Sequence, residues 1–527
     1  MEMILNIREK HMSKQVFNPY LPEWEYVPDG EPKIFDDRVY IFGSHDIAGG
    51  QNYCSEDYVC WSAPINDLTS WSFEGTIYRK EDDPGYRNES GVRLYAPDVC
   101  KGKDGKFYLY YFSNKLDRIS VAVCEFPAGH YTYLGDVHLK NRKVFDGNSG
   151  YGLPFDPSIL CDGDDIFLYY GFAFQEKKEK FNENGYCGAF CAKLEDDMLT
   201  MKTDPVCIIP GKLYSKETEF EGHAFLEASS IRHYGDKYYF VYSSENGHEL
   251  SYAISDSPDR NYRYKGTLIS NGDVGLKDRK KKDAVNYLGN NHGGILKIED
   301  NYYIFYHRHT HGIPYSRQGC AEKIQMDFNG EFSQAEVTSC GLNNGSLEAK
   351  GTYPARIACC LKSVDGVKQY SKSVHWDEKH PYIAHERIQD NATSEMQYIY
   401  NLRNGAICGY KYFHFDETER KVKICSRGRF EGILEMYIGN LEPDNLCAVI
   451  AVNHLENHKQ WSWEEVMIKG KKGDYPIYFK VCGKGALDLR NLFLSNDTFK
   501  KEIPTEECLK DQRKMTVYAK GASAQVL

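Results

Sequence analysis

The stretch Asp98-Val99-Cys100-Lys101-Gly102-Lys103-Asp104-Gly105-Lys106-Phe107-Tyr108-Leu109-Tyr110-Tyr111 sets the pattern of the whole first half of the chain. A polar leader and a few extended residues run into the turn signal Lys103-Asp104-Gly105, and five aromatic or apolar residues follow. That order reads as strand, tight turn, strand. It recurs four more times. Asp29 leads Val39-Tyr40-Ile41-Phe42 across Phe35-Asp36-Asp37, and Asp156 leads Ile166-Phe167-Leu168-Tyr169-Tyr170 across Asp162-Gly163-Asp164. Glu227 leads Tyr238-Tyr239-Phe240-Val241-Tyr242 across Tyr234-Gly235-Asp236, and His292 leads Tyr302-Tyr303-Ile304-Phe305-Tyr306 across Glu299-Asp300-Asn301.

The five leaders stand 69, 58, 71 and 65 residues apart, and no helical period intervenes. Repeats of this length, each a small antiparallel sheet, predict an all-β chain that begins with a five-bladed β-propeller. Equivalent positions on the innermost strands of a propeller converge on its axis. Asp29, Asp98, Asp156, Glu227 and His292 are therefore expected to ring one end of that axis. Four acids crowded together are costly unless function or a cation offsets the repulsion.

Farther along, Gly409–Phe415, Glu431–Ile438, Tyr475–Val481 and Leu487–Leu494 alternate as strands, which predicts a β-sandwich after the propeller. The expected organisation is an N-terminal extension (1–16), a propeller (17–365) and a sandwich (366–527).

Composition narrows the function. The 527 residues carry 65 Lys+Arg against 76 Asp+Glu, a formal charge of −11. That balance argues against a nucleic-acid partner, which needs a basic face. No apolar run approaches the ~20 residues of a membrane span, so no membrane partner is expected. Met3–Ile7 is too short for a signal-peptide core. The 17 Cys contain no Cys-x-x-Cys pair, which fits free thiols in a reducing, cytoplasmic setting. Aromatics make up 14% of the chain and supply rings on which sugars stack.

Motifs flanking the leaders carry a resemblance. Asn18-Pro19, Val27-Pro28-Asp29-Gly30, Gly43-Ser44-His45-Asp46, Ala96-Pro97-Asp98-Val99, Phe155-Asp156-Pro157-Ser158, Phe225-Leu226-Glu227-Ala228-Ser229 and Gly289-Asn290-Asn291-His292-Gly293 occur in order and at blade spacing. Over about residues 17 to 360 the chain resembles glycoside hydrolase family 43, a family of five-bladed propellers. The resemblance makes Asp29 the general base, Glu227 the general acid, and Asp156 a third carboxylate that orients the acid and keeps its pKa high. Glu31, beside Asp29, is a weaker rival for the base.

Ser316-Arg317-Gln318 resembles the family's sugar-contacting arginine segment, so Arg317, with Asp98 and His45, forms the expected substrate-binding set. His292 matches a histidine that in many members lies beside calcium or a water cluster. It is the expected Ca2+ position, although one His is a poor ligand for a cation that prefers six to eight oxygens.

The resemblance implies an inverting exo-glycosidase acting on pentose-containing oligosaccharides. The reading is an α-L-arabinofuranosidase that removes arabinose side groups from arabinoxylan-type oligosaccharides. A β-D-xylosidase is the alternative, and a non-catalytic carbohydrate-binding propeller is a remote third. Loops at Asp46–Trp61 and Lys177–Tyr186 are expected to shelve the substrate backbone. The C-terminal strands resemble carbohydrate-binding module family 6, with Trp461 and Trp463 as candidate sugar-stacking residues and packing support as the expected role.

Overall fold

The computed structural model describes residues 15–86, 90–173, 187–370, 378–387 and 395–495. The expected loop Lys177–Tyr186 lies outside the described residues. The chain is built from strands, with only short 3-10 turns between them. No helix among the described residues is long and apolar enough to cross a membrane.

Each sequence repeat forms one antiparallel meander. Four sheets have four strands each, spanning residues 31–78 (sheet I), 98–136 (II), 158–210 (III) and 225–270 (IV), and sheet V has three strands within residues 295–324. The first hairpin of every sheet turns at the residue type that the sequence placed there. Asp36, Gly163, Gly235 and Glu299 open two-residue turns and Gly105 closes a three-residue one, and all five have positive φ, between 52° and 85°, as hairpin turns that match the strand twist require.

The unbroken apolar runs have a packing reason. Phe107, Leu109 and Tyr111 point into a core shared by sheets I and II, whereas Tyr108 and Tyr110 point into a core shared by II and III. Successive residues of one strand thus feed two cores, so neither face can be polar. Similar cores fill the seams III–IV and IV–V, and another joins sheet V to sheet I through Val39, Ile41, Leu296 and Phe305. Each large side chain buried there contributes on the order of 1.5–3 kcal/mol. The N-terminal segment adds to the V–I seam: the Tyr20 N–H donates to the Gly319 carbonyl at 3.2 Å, and Asn18 Oδ1 accepts from the Ala321 N–H at 2.9 Å.

The first strands of the sheets meet around a buried ionic network. Lys33 of sheet I lies 2.7 Å from Asp98 of sheet II, and the Ile159 N–H of sheet III donates to Asp98 at 2.8 Å. The Ile231 N–H of sheet IV donates to Ser158 Oγ of sheet III at 3.3 Å. Arg232 of sheet IV donates to the Ile295 carbonyl of sheet V at 2.7 Å and to Glu31 of sheet I at 2.6 Å.

The second unit contains two sheets of six strands each, whose inner faces share one apolar core. The boundary expected after residue 365 moves. Leu347–Glu348 and Cys360–Lys362 pair with Ile407–Phe415, and Gly351–Pro354 pairs with Leu487–Ser495. Leu347, Tyr353, Ile357 and Leu361 are buried in the second unit's core, so this segment belongs there rather than to the last repeat. Across the junction, the His311 N–H donates to the Ile383 carbonyl at 2.6 Å and Lys411 Nζ lies 3.0 Å from Asp273. Trp461 packs 5.5 Å from Tyr398 while Trp463 is exposed.

Candidate active site

A cavity of about 510 Å3 opens where the loops preceding the first strands converge, and Asp29, Asp156, Glu227, His292 and Arg317 all line it. Local backbone geometry aims these side chains. Asp29 and Asp156 sit two residues before their strands with φ of 54° and 47°, a region that Asp tolerates better than most residues. Glu227 lies within the strand Phe225–Tyr234, where the register shifts on both sides of it. Such bulges re-aim side chains. The same distortion lets the Ala228 N–H donate to Asp156 Oδ2 at 2.9 Å.

Asp29 is built to stay ionised. Arg317 Nη1 donates to its Oδ1 at 2.8 Å, and Ser44 Oγ donates to its Oδ2. The Asp29 N–H donates to His307 Nδ1 at 3.2 Å, and His307 Nε2 faces the Asn290 carbonyl at 3.0 Å, which puts the imidazole proton on Nε2. Burial alone pushes the Asp29 pKa up, but the Arg317 guanidinium holds it well below the usual carboxylate range. Arg317 is itself fixed. Its Nε and Nη2 grip Asp46 at 2.8 and 3.0 Å, and its guanidinium lies 4.8 Å from the Tyr53 ring centre. A bidentate guanidinium clamp supplies orientation as well as charge.

Glu227 is built to keep its proton. Burial first, and then the negative charge of Asp29, raise its pKa to about 7, with Arg317 opposing. Asp156 is also pushed well up, by burial and then by Glu227 and Asp29. Burial and the charge of Asp29 keep Glu227 protonated, and Asp156 and Glu227, raised together, resist ionising at the same time. The rate is therefore expected to fall above about pH 7, as Glu227 loses its proton. Asp156→Asn, which removes the repulsion between the two carboxyls, is expected to move this alkaline limb of kcat/KM to lower pH. A limb that stays in place would mean that Asp156 only positions the acid or the substrate.

His292 Nδ1 stands 3.9 Å from Asp29 Oδ1 and 3.6 Å from Asp156 Oδ2, and burial lowers its pKa to about 4. For the expected Ca2+, His292 would be joined mainly by water and carbonyl oxygens. Among the described residues no group of three or more His, Cys, Asp or Glu is arranged to hold a metal ion. Deeper along the axis, Glu31 Oε2 has no hydrogen-bond partner, but Glu31 Oε1 is held by Arg232 and Lys33 lies 3.9 Å away. Two side-chain cations thus supply the positive charge that this acidic centre needs.

Two expected substrate contacts fall elsewhere. Asp98 pairs with Tyr110 as the first residue of its strand, the position that Glu31 and Ser158 occupy in theirs. It therefore sits one alternation deeper than Asp29 and Asp156, tied to Lys33 and Ser158. His45 turns away from the cavity: Nε2 meets Glu25 at 2.8 Å and Nδ1 meets the Asp57 carbonyl at 3.0 Å. It anchors the loop that carries Asp46 and Tyr53. Glu31, the rival base, is bound to Ser230 and Arg232 and does not line the cavity.

The structure adds residues that the motifs did not single out. Ser44 and Asp46 flank the histidine of their own motif, and His307 ends an aromatic strand. Tyr370 comes from the strap that follows Cys360–Lys362. Its N–H donates to the Leu288 carbonyl at 2.9 Å, and its hydroxyl meets Tyr53 at 3.2 Å over the cavity rim. Nothing local marks Tyr370, because only the packing of the second unit brings it there.

Comparisons with known proteins agree with this geometry. The sequence model of glycosyl hydrolases family 43 matches residues 27–332. A xylosidase/arabinosidase from Thermoclostridium stercorarium is 41% identical over 489 residues, covering 92% of this chain and 100% of its own. A xylosidase/arabinosidase from Bacteroides ovatus is 27% identical, covering 60% of this chain and 97% of its own. In fold, the chain is similar to a GH43_1 enzyme from Xanthomonas citri, with a TM-score of 0.50 at 21% identity, covering 63% of this chain and 97% of that one. With a depressed-pKa aspartate and a raised-pKa glutamate facing one cavity, and the family's sequence pattern spanning all five repeats, the chain belongs to glycosyl hydrolases family 43.

Proposed function

We propose that this protein is an inverting, exo-acting α-L-arabinofuranosidase that removes arabinose side groups from arabinoxylan-type oligosaccharides. The observation that carries the reading is the split in proton affinity between Asp29 and Glu227 within one cavity. Asp29 takes a proton from water as the water oxygen bonds to the anomeric carbon. Glu227 delivers its proton to the leaving oxygen as the glycosidic bond breaks. Bond making and bond breaking belong to a single displacement, which inverts the anomeric centre once. Arg317, Asp46, Ser44 and His307 hold Asp29 in place, and Asp156 braces the Glu227 segment. Exo action is supported by the Tyr53–Tyr370 contact, which narrows the rim. The five sheets and their cyclic seams are read as propeller blades, and the two later sheets as a supporting sandwich. The free thiols of the described cysteines suit a cytoplasmic enzyme acting on imported oligosaccharides.

β-D-Xylosidase is the second reading, favoured by relatives named for both activities. The deciding experiment compares kcat/KM on 4-nitrophenyl α-L-arabinofuranoside and β-D-xyloside, then follows the products from branched xylo-oligosaccharides. Free arabinose, with the xylan backbone left intact, is expected. Xylose as the main product, with branches retained, would promote the second reading. Proton NMR of the first product formed is expected to show the anomer opposite to the substrate's.

A further inference from the structure

A second cavity lies behind the loop that carries Tyr53 and Cys54 into the active site. It encloses about 580 Å3 between Gly49 and Gln51 of that loop, the hairpin end at His311, and the strands Tyr382–Arg387 and Glu395–Leu402 of the second unit. Its second-unit wall is aromatic. The Tyr382 and Tyr400 ring centres are 5.1 Å apart, and those of Tyr398 and Tyr400 are 6.5 Å apart at an interplanar angle of 73°. Tyr400 is 38% exposed, while Tyr398 is buried beneath it.

This wall is held rigid from behind. Arg427 lies 4.8 Å from the Tyr398 ring centre and 4.3 Å from that of Trp461, and it is anchored to Glu386 at 2.9 Å. The opposite side is polar. It presents the exposed Gln51 and a histidine pair across the junction, His311 Nε2 to His385 Nδ1 at 2.5 Å. None of the described lining residues is Asp, Glu, Lys or Arg.

A cavity whose described lining is uncharged, with a tyrosine wall and polar groups opposite, suits a neutral sugar. Ring faces bury against aromatics while hydroxyls meet the polar side. The loop shared with the catalytic site points to which sugar. Gly49 and Gln51 line this cavity, and Tyr53 and Cys54, two to five residues on in the same loop, line the catalytic one. We propose that the cavity between the two units is an accessory site for the backbone of a β-1,4-linked xylo-oligosaccharide, taking up the part of the substrate remote from the scissile bond. The proposal rests on the arabinoxylan reading above. It assigns the second unit a binding role through Tyr400, on the face turned towards the catalytic unit.

The test uses the full chain. In a Glu227→Gln background, which leaves the ligand uncleaved, calorimetry with xylohexaose is expected to show binding that Tyr400→Ala weakens by up to about tenfold, the range of one lost aromatic contact. Gln51→Ala on the opposite wall is expected to weaken it as well. In the active enzyme, Tyr400→Ala is expected to lower kcat/KM on arabinose-branched xylohexaose by a similar factor. The rate on 4-nitrophenyl α-L-arabinofuranoside, too short to reach the cavity, is expected to stay unchanged. Equal losses on both substrates, xylohexaose binding indifferent to Tyr400, or binding of a linear arabinohexaose in its place would each overturn the proposal. Failure of the wild type to cleave the nitrophenyl glycoside would instead count against the arabinofuranosidase reading, because the calorimetric result does not depend on turnover.

Discussion

Glu227→Gln is expected to lower kcat on arabinoxylo-oligosaccharides by about 10²- to 10⁴-fold, the usual worth of a positioned general acid. Gln keeps the shape but has no proton to give, and the leaving sugar hydroxyl is a poor leaving group without one. A 4-nitrophenolate leaves readily unprotonated, so the loss on 4-nitrophenyl α-L-arabinofuranoside is expected to be much smaller. Asp29→Asn is expected to behave differently. Activating the attacking water is needed whatever leaves, so the two substrates should lose rate by similar factors. Matched kcat measurements on both variants and both substrates decide the assignment. Equal losses for Glu227→Gln on the two substrates, or selective rescue of Asp29→Asn, would reverse or void the roles.

Arg317→Met is expected to have the second-largest effect, on both stability and rate. Arg317 is buried between Asp29 and Asp46, at 2.8 Å from each. Removing one partner of a buried ion pair typically costs about 3–5 kcal/mol, because a charge is left uncompensated. Asp29, no longer held low by the guanidinium, is expected to rise in pKa, so the acid limb of the kcat/KM profile should move to higher pH.

The sign of the stability change follows from the same shift. A carboxylate with a depressed folded-state pKa stabilises the fold above its unfolded pKa of about 3.9 and loses that contribution as pH falls towards its folded pKa. The gap in urea unfolding free energy between wild type and Arg317→Met should therefore be widest near neutral pH and shrink in acid. Arg317→Lys, which keeps the charge but not the two-pronged grip on Asp46, should recover part of the stability and little of the rate. A gap that does not change with pH would show that Arg317 acts by packing alone.

Which parts of this were legible in the sequence follows from how far each signal reaches. Strand order and hairpin turns were written locally. Turn residues tolerant of positive φ recur between the first two strands of every sheet, and the unbroken aromatic runs reflect strands packed on both faces. Asp29, Asp156, Glu227 and His292 were legible as members of one site because repeat spacing carries equivalent positions to equivalent places, and Arg317 was legible only through the family resemblance of Ser316-Arg317-Gln318. Where that spacing was off by one alternation the inference failed. Asp98 looks like the other leaders in the linear text, but its pairing with Tyr110 puts it at the level of Glu31 and Ser158, inside the ionic network. A two-residue shift along a strand keeps a side chain on its face while changing its depth, and no composition rule reports depth.

The sequence by itself therefore determined the element types, the five-fold repetition and the acids that share a cavity, since these depend on neighbours within about a dozen residues and on a period. The tertiary structure decided the rest. It turned His45 from substrate contact to loop anchor, set Arg232 and Lys33 around Glu31 at the deeper level, and buried Asp156 in one cavity with Glu227. It drew residues 347–362 into the second unit and brought Tyr370 over the rim. Ion pairing, desolvation and contacts between distant segments set each of these outcomes, and all three depend on which charges and surfaces become neighbours only once the chain has closed.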